Sequence, residues 1–162
     1  MLGTGCSGSG YGPRTTSATA KIKGQYMDGR HLTDAGNTTP EAALETSFWA
    51  SSKGDYGADV AFYTPQMQEQ VRRWDGNKTE FASKMKCKFS RFKGLQIIAR
   101  KAVANDTVEL RYAFAFASQR TNPENVPMEK IACLVKIQGA WKCAETRSYS
   151  ADWDAGSTPE PM

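Results

Sequence analysis

The chain has a single histidine, His31, and four cysteines, Cys6, Cys87, Cys133 and Cys143, among its 162 residues. None of the cysteines has C-x-x-C spacing, which excludes the usual zinc ligand patterns, and no metal or other cofactor is expected. No apolar run reaches the roughly eighteen residues that cross a bilayer as a helix, and no charged-then-apolar leader opens the chain, so no transmembrane segment is expected. Neither sign of charge dominates: 21 Lys and Arg stand against 17 Asp and Glu, a net +4 with a pI near 8.9. That excess leans toward anionic partners and falls short of a dedicated nucleic-acid surface, so no specific nucleic acid is expected. The string Gly3-x-Gly5-x-x-Gly8 fits a dinucleotide fingerprint only as letters, since Gly10, Gly12 and Pro13 follow where a helix would have to begin.

What is present is a helix with both ends marked. Thr39 reads as the cap, Pro40 as the first helical residue, where its missing N–H costs nothing, and Gly54 as the left-handed stop. Ala43, Leu44, Ser47, Phe48 and Ser51 fall on one face between them. A short second helix is expected over Tyr56–Phe62, and a third from Pro65 carrying Met67, Val71 and Trp74 as far as Asp75-Gly76. Phe81, Met85, Phe89 and Phe92 recur at helical spacing before Gly94, which predicts a fourth helix.

From Leu95 the period changes to two. Leu95–Val103, Thr107–Ala117, Met128–Ile137 and Ala140–Arg147 read as four antiparallel strands, with turns at Asn105-Asp106 and Gln138-Gly139 and a loop around Pro123. Val108, Leu110, Tyr112, Phe114 and Phe116 face one way, and Glu109, Arg111, Ala113 and Ala115 the other. A two-residue turn at Gln138-Gly139 sets Leu134 opposite Cys143 and Cys133 opposite Ala144. The two thiols then lie on different faces and a bridge between them is disfavoured.

The predicted domain spans 35–150, flanked by a flexible Gly/Ser/Thr-rich leader over 1–20 and a disordered tail over 154–162. Leu2-Gly3-Thr4-Gly5-Cys6 loosely resembles the end of a bacterial lipoprotein signal, which makes Cys6 a candidate lipidation site. Such an ending places the protein in the bacterial envelope or among exported proteins, with a cytoplasmic location as the alternative.

Helices followed by a meander with one aromatic face give an α+β class: N-terminal helices packed into a curved four-stranded antiparallel sheet. The segments Thr39-Pro40-Glu41-Ala42-Ala43, Lys53-Gly54-Asp55-Tyr56, Tyr63-Thr64-Pro65, Asn105-Asp106-Thr107-Val108 and Leu134-Val135-Lys136-Ile137-Gln138-Gly139-Ala140-Trp141-Lys142 resemble the nuclear transport factor 2-like superfamily. That superfamily has a cone-shaped, cystatin-like fold, shared by ketosteroid isomerases, polyketide cyclases and bacterial envelope domains of unknown function. The resemblance implies a homo-oligomer formed through the outer sheet face. It also implies that any enzyme on this cone would use a pocket acid, alone or with a tyrosine. The inward strand positions carry no carboxylate, which leaves Asp55 and Asp59 as candidate proton carriers with Tyr56 or Tyr112 as donor, and sets His31 aside as a loop residue.

Three functional readings follow. The first is a non-catalytic interaction or assembly module of the bacterial envelope that holds a small apolar ligand against Trp49, Tyr56, Phe62, Tyr63, Tyr112, Phe114 and Trp141. The second is an isomerase-like or cyclase-like enzyme with a pocket carboxylate. The third is a self-assembling subunit that docks its leader on a neighbour. Lys84, Lys88 and Arg91 line up on the fourth helix and form a candidate site for an anionic surface. An open pocket with a desolvated carboxyl near a tyrosine would favour chemistry, and a filled interior would favour the module.

Overall fold

The computed structural model describes residues 19–20, 25–117 and 127–155. Helix α1 spans Pro40–Lys53, with Thr39 Oγ1 accepting from the Ala42 amide and Gly54 in the left-handed region at φ 67°. Glycine is required at that stop twice over, because a Cβ there would also sit 3.0 Å from the Ala82 main chain. Helix α2 follows at Tyr56–Ala61, α3 at Pro65–Asp75 and α4 at Lys78–Phe89, each opened by a side-chain cap from Asp55, Thr64 and Asn77. One expectation fails here. Phe92 leaves the helix and opens a strand, because the chain turns at Ser90, the cap residue of α4. Of the residues carried by α3, Val71 is buried and Trp74 is 67% exposed.

The strands are β1 Thr19–Ala20, β2 Gln25–Asp28, β3 Phe92–Ala104, β4 Thr107–Phe116, β5 Met128–Ile137 and β6 Ala140–Ser148. They form one antiparallel sheet in the order β1-β3-β4-β5-β6, with β2 pairing β3 off that path. The α+β class stands, but the expected four-stranded sheet does not: five strands lie along the path. The additional pairing comes from the segment before the helices, which hydrogen-bonds along the edge of β3 and covers what would be open donors and acceptors. The edge at β6 is closed in a similar way. Cys143 N donates to Phe62 O at 2.8 Å, Thr64 N to Cys143 O at 2.9 Å and Trp141 N to Asn37 O at 3.0 Å.

Helix α1 lies against the inner face, where Ala43 and Leu44 join Leu95, Ile97, Val108, Leu110, Tyr112, Leu134 and Cys143 in one buried cluster. The alternation expected of β4 holds: Val108, Leu110 and Tyr112 are buried in this cluster, and Phe114 and Phe116 pack against it. A register shift between Ile97 and Ala99 reverses the faces of β3. Ile97 belongs to the inner cluster, Ala99 to an outer one, and Arg100 reaches inward to Glu41 of α1 at 3.2 Å. The turn at Gln138-Gly139 forms with φ of 50° and 82°, and Leu134 pairs with Cys143 as required, while a second bulge sets Glu145 rather than Ala144 opposite Cys133. Cys87, Cys133 and Cys143 are free thiols.

The outer face carries a feature that the sequence did not announce. Helix α5, Asp152–Ala155, seats Trp153 on Ala99 and Ile131 at 7% exposure. This lies on the face expected to meet a second copy, where Glu109 and Arg111 bond to Trp153 and Asp154 of the same chain. Among the described residues no helix is long and apolar enough to cross a membrane.

Candidate functional site

A cavity of about 240 Å³ opens between α1, the following helices and the inner face of the sheet. Helix α1 presents Leu44, Ser47, Phe48 and Ser51 to it, α4 presents Phe81, Met85, Lys88 and Phe89, and β4 presents Tyr112, Phe114 and Phe116. These sets follow directly from periods of 3.6 and 2. The ring of Phe48 stands 5.5 to 6.4 Å from those of Phe89, Phe92, Tyr112 and Phe114, so one wall is a continuous aromatic surface.

The polar members of the wall are Asp59, Asp75, Lys88, Lys130 and the hydroxyl-bearing Ser47, Ser51, Tyr63, Tyr112 and Thr146. Asp59 is held there by the turn after α1: Gly54 reverses the chain, Asp55 caps α2, and one helical turn later Asp59 faces back toward α1. It is 6% exposed and accepts a hydrogen bond from Ser51 Oγ at 2.5 Å. Burial pushes its carboxyl up to about 6, the Ser51 hydrogen bond opposes this, and the charges of Asp75 and Asp55 add to the rise. Asp75 is raised too, by burial, with Lys84 and Lys88 opposing. Burial lifts the phenols of Tyr63 and Tyr112 above the ordinary tyrosine range, so both remain donors at neutral pH.

The predicted site residues divide. Asp59, Phe62, Tyr63, Tyr112 and Phe114 come together around this cavity. Trp141 lines a second concavity of about 170 Å³ with Phe62, Lys142 and Asn37. Trp49 is half-buried on α1 and lines neither. Tyr56 turns away to pack edge-on against Phe81 at 5.3 Å. Asp55 is an exposed cap that accepts from the Ala58 amide at 3.0 Å. His31 is exposed at the end of a 3₁₀ turn. The basic stripe also splits: Lys88 enters the cavity wall with its ammonium 5.3 Å from the Phe116 ring, Lys84 lies beside Asp75, and Arg91 belongs to a different concavity. Cys6 lies outside the described residues. Sequence reasoning missed Asp75, Lys88 as a wall residue, Lys130 and Ser51 as the partner of Asp59. Only Ser51 had a signal, its place on the same α1 face as Phe48. Among the described residues no group of three or more His, Cys, Asp or Glu is placed to hold a metal.

The cavity can accept a molecule somewhat larger than a single ring, since an apolar space of about 150 Å³ holds benzene. It offers that molecule an aromatic bed, one acid close to neutrality and two phenolic donors. No family model matches the chain, and no curated protein sequence matches it. Among solved structures it is similar to a SEC-C motif containing protein from Rhodopseudomonas palustris, determined in solution, with 14% identity over 75% of this chain and 84% of that one and a TM-score of 0.53. At that identity the likeness shows the fold alone. It corrects the expected membership of the nuclear transport factor 2-like superfamily: the structural neighbour is a SEC-C motif protein, and no comparison points to that superfamily. The residues behind the resemblance explain the error. Thr-Pro openings, a Gly stop and two-residue turns punctuate helices and hairpins in any fold that joins them.

Proposed function

We propose that this domain binds a small, largely apolar molecule in the inner-face cavity, with Asp59 receiving its polar end. The observation that carries this reading is the buried Asp59 carboxyl at the wall of an aromatic-lined cavity, with Ser51 Oγ donating to it at 2.5 Å. A carboxyl that burial makes harder to ionise lowers the stability of the fold at neutral pH, and such groups concentrate where a ligand is received. Bicyclic probes with a single polar substituent, 2-naphthol and 2-naphthylamine, test the reading by amide-shift titration. The expected result is saturable shifts centred on Ser51, Asp59, Tyr63 and Tyr112, weakened about tenfold in Asp59→Asn, the scale of one charge-assisted hydrogen bond. Shifts scattered over the surface, or none, would remove the proposal.

A second reading is favoured by the elevated Asp59 and the two protonated phenols bordering one space: the acid would accept a proton from the bound molecule while a phenol donates to the oxygen that gains charge. Solvent deuterium exchange into the acidic C–H of 2-tetralone, faster with the protein than with Asp59→Asn, would support it. Equal rates would leave binding as the function.

A further inference from the structure

We infer that the molecule held in the inner-face cavity is a carboxylic acid: one polar end meets Asp59, and a carboxylate at the other end pairs with the Lys130 ammonium. The inference rests on the binding reading above and deepens it by naming the class of ligand.

Of the strand residues that line the cavity, Tyr112, Phe114, Phe116, Lys130 and Thr146, Lys130 is the one that carries a charge. Its neighbours on the same face of β5, Ala132 and Leu134, are fully buried in the inner cluster. The register sets it opposite Tyr112 of β4 on one side and Ser148 of β6 on the other. Lysine is disfavoured in strands, and a β-branched or aromatic side chain at this position would simply extend the apolar wall. A lysine stem covers that wall equally well, and its head brings a full charge to the edge of the space.

The two lysines of the wall differ in what they already serve. Lys88 stands over the Phe116 ring at 5.3 Å, and its charge opposes the rise of both Asp59 and Asp75. Lys130 makes no side-chain hydrogen bond or ion pair among the described residues. The two polar ends are also set apart along the sheet. Tyr63, which follows Asp59 by one helical turn, pairs beside Cys143, and Cys143 faces Leu134. Lys130 lies four residues from Leu134 on β5, which is about 13 Å at about 3.3 Å per residue. One uncommitted ammonium suits one negative charge. A phosphate would bring a second charge into the field of Asp59 and Asp75, with Lys88 already set against them.

The test compares 6-hydroxy-2-naphthoate, its methyl ester and 2-naphthol by amide-shift titration of the full chain at fixed ionic strength and about pH 7, where the acid is ionised. The acid is expected to bind about tenfold more tightly than either neutral probe, the scale of one charge-assisted hydrogen bond. Lys130→Gln should erase that advantage and leave 2-naphthol unchanged, while Lys130→Arg should keep most of it. If 2-naphthol binds but the acid gains nothing over its ester, or if Lys130→Gln weakens the acid and 2-naphthol alike, this inference falls and the binding reading stands. If none of the three binds, both fall. Tighter binding of 2-naphthyl phosphate than of the acid would overturn the choice of a carboxylate.

Discussion

The acids on the outer face of the sheet and Asp59 on the inner side are treated in opposite ways. On the outer face Glu109 accepts from Trp153 Nε1 and Arg147 Nη2, each at 2.6 Å. Glu129 accepts from Arg111 Nη2 at 2.7 Å, and Asp154 accepts from the Tyr149 hydroxyl at 2.5 Å. The Arg111 guanidinium also stacks on the Tyr149 ring at 3.7 Å. Each of these three acids has a cation or a strong donor. On the inner face Asp59 takes its side-chain hydrogen bond from one serine and sits in the field of two further carboxylates. Polar groups that hold a fold together arrive with partners; a group left short of them is available to something outside the chain.

The largest effect should come from opening the outer face. Trp153→Ala removes the indole that closes the small cluster over Ala99 and Ile131 and strips Glu109 of one donor. A loss of about 3 kcal/mol is expected, at the lower end for a buried tryptophan because α5 is short. Denaturant unfolding measures it. The titration of Asp59 should not move in this variant, since the sheet separates the two faces; a displaced titration would break the comparison.

Asp59→Asn is expected to act in the opposite sense, as a gain at high pH. The folded-state value of about 6 lies above the roughly 3.9 of an unfolded aspartate, so the folded chain binds this proton more tightly. The contribution is therefore fully present below about pH 4 and is lost as pH rises through about 6. Asparagine cannot ionise, so the variant should show a flatter stability profile between about pH 4 and 7 and be more stable than the parent by about 2 kcal/mol at pH 8, which is the roughly 3 kcal/mol equivalent to the shift less what an amide loses in place of the protonated acid. A less stable variant at pH 8 would mean that the carboxylate holds the fold as the outer acids do.

What could be read in advance, and what could not, follows the same division between local and distant causes. The cap at Thr39, the stop at Gly54, the turn at Gln138-Gly139 and the alternation of β4 are decided by neighbours within a few residues, and all four are found in the structure. Phe92 matches helical spacing from Phe81 to Phe89, yet pairing with Phe116 claims it for the sheet, a tertiary preference that overrides a local one. The upstream partners of β3 are Thr19–Ala20 and Gln25–Asp28; the first lies in the stretch whose composition reads as leader, and the second shows too few residues for a periodic signal. Trp153 stands between two aspartates with no periodic signal, and its burial depends on an outer apolar patch that joins Ile131 of β5 to Ala99, which the bulge at Ile97/Ala99 turns outward. Within the cavity, the aromatic wall was legible from period two. The acidic neighbourhood of Asp59 was not, because Asp75 reaches it from a separate helix.

The smallest change that sharpens the contrast is Ser51→Ala. Its hydroxyl donates to Asp59 Oδ1 at 2.5 Å, and a donor to a carboxylate favours the ionised form, which is why this contact opposes the effect of burial. Removing it leaves the charged state with less support while the neutral acid loses little. The Asp59 titration should therefore rise further, from about 6 to about 7, equivalent to about 1.4 kcal/mol. The loss of stability should appear above that range and fade below about pH 4, where both forms of the protein carry a protonated acid. Carboxyl ¹³C shifts across the titration measure the rise directly. A carboxyl that titrates unchanged would show that Ser51 does not hold the ionised form, and that the inner face is supplied with donors from elsewhere.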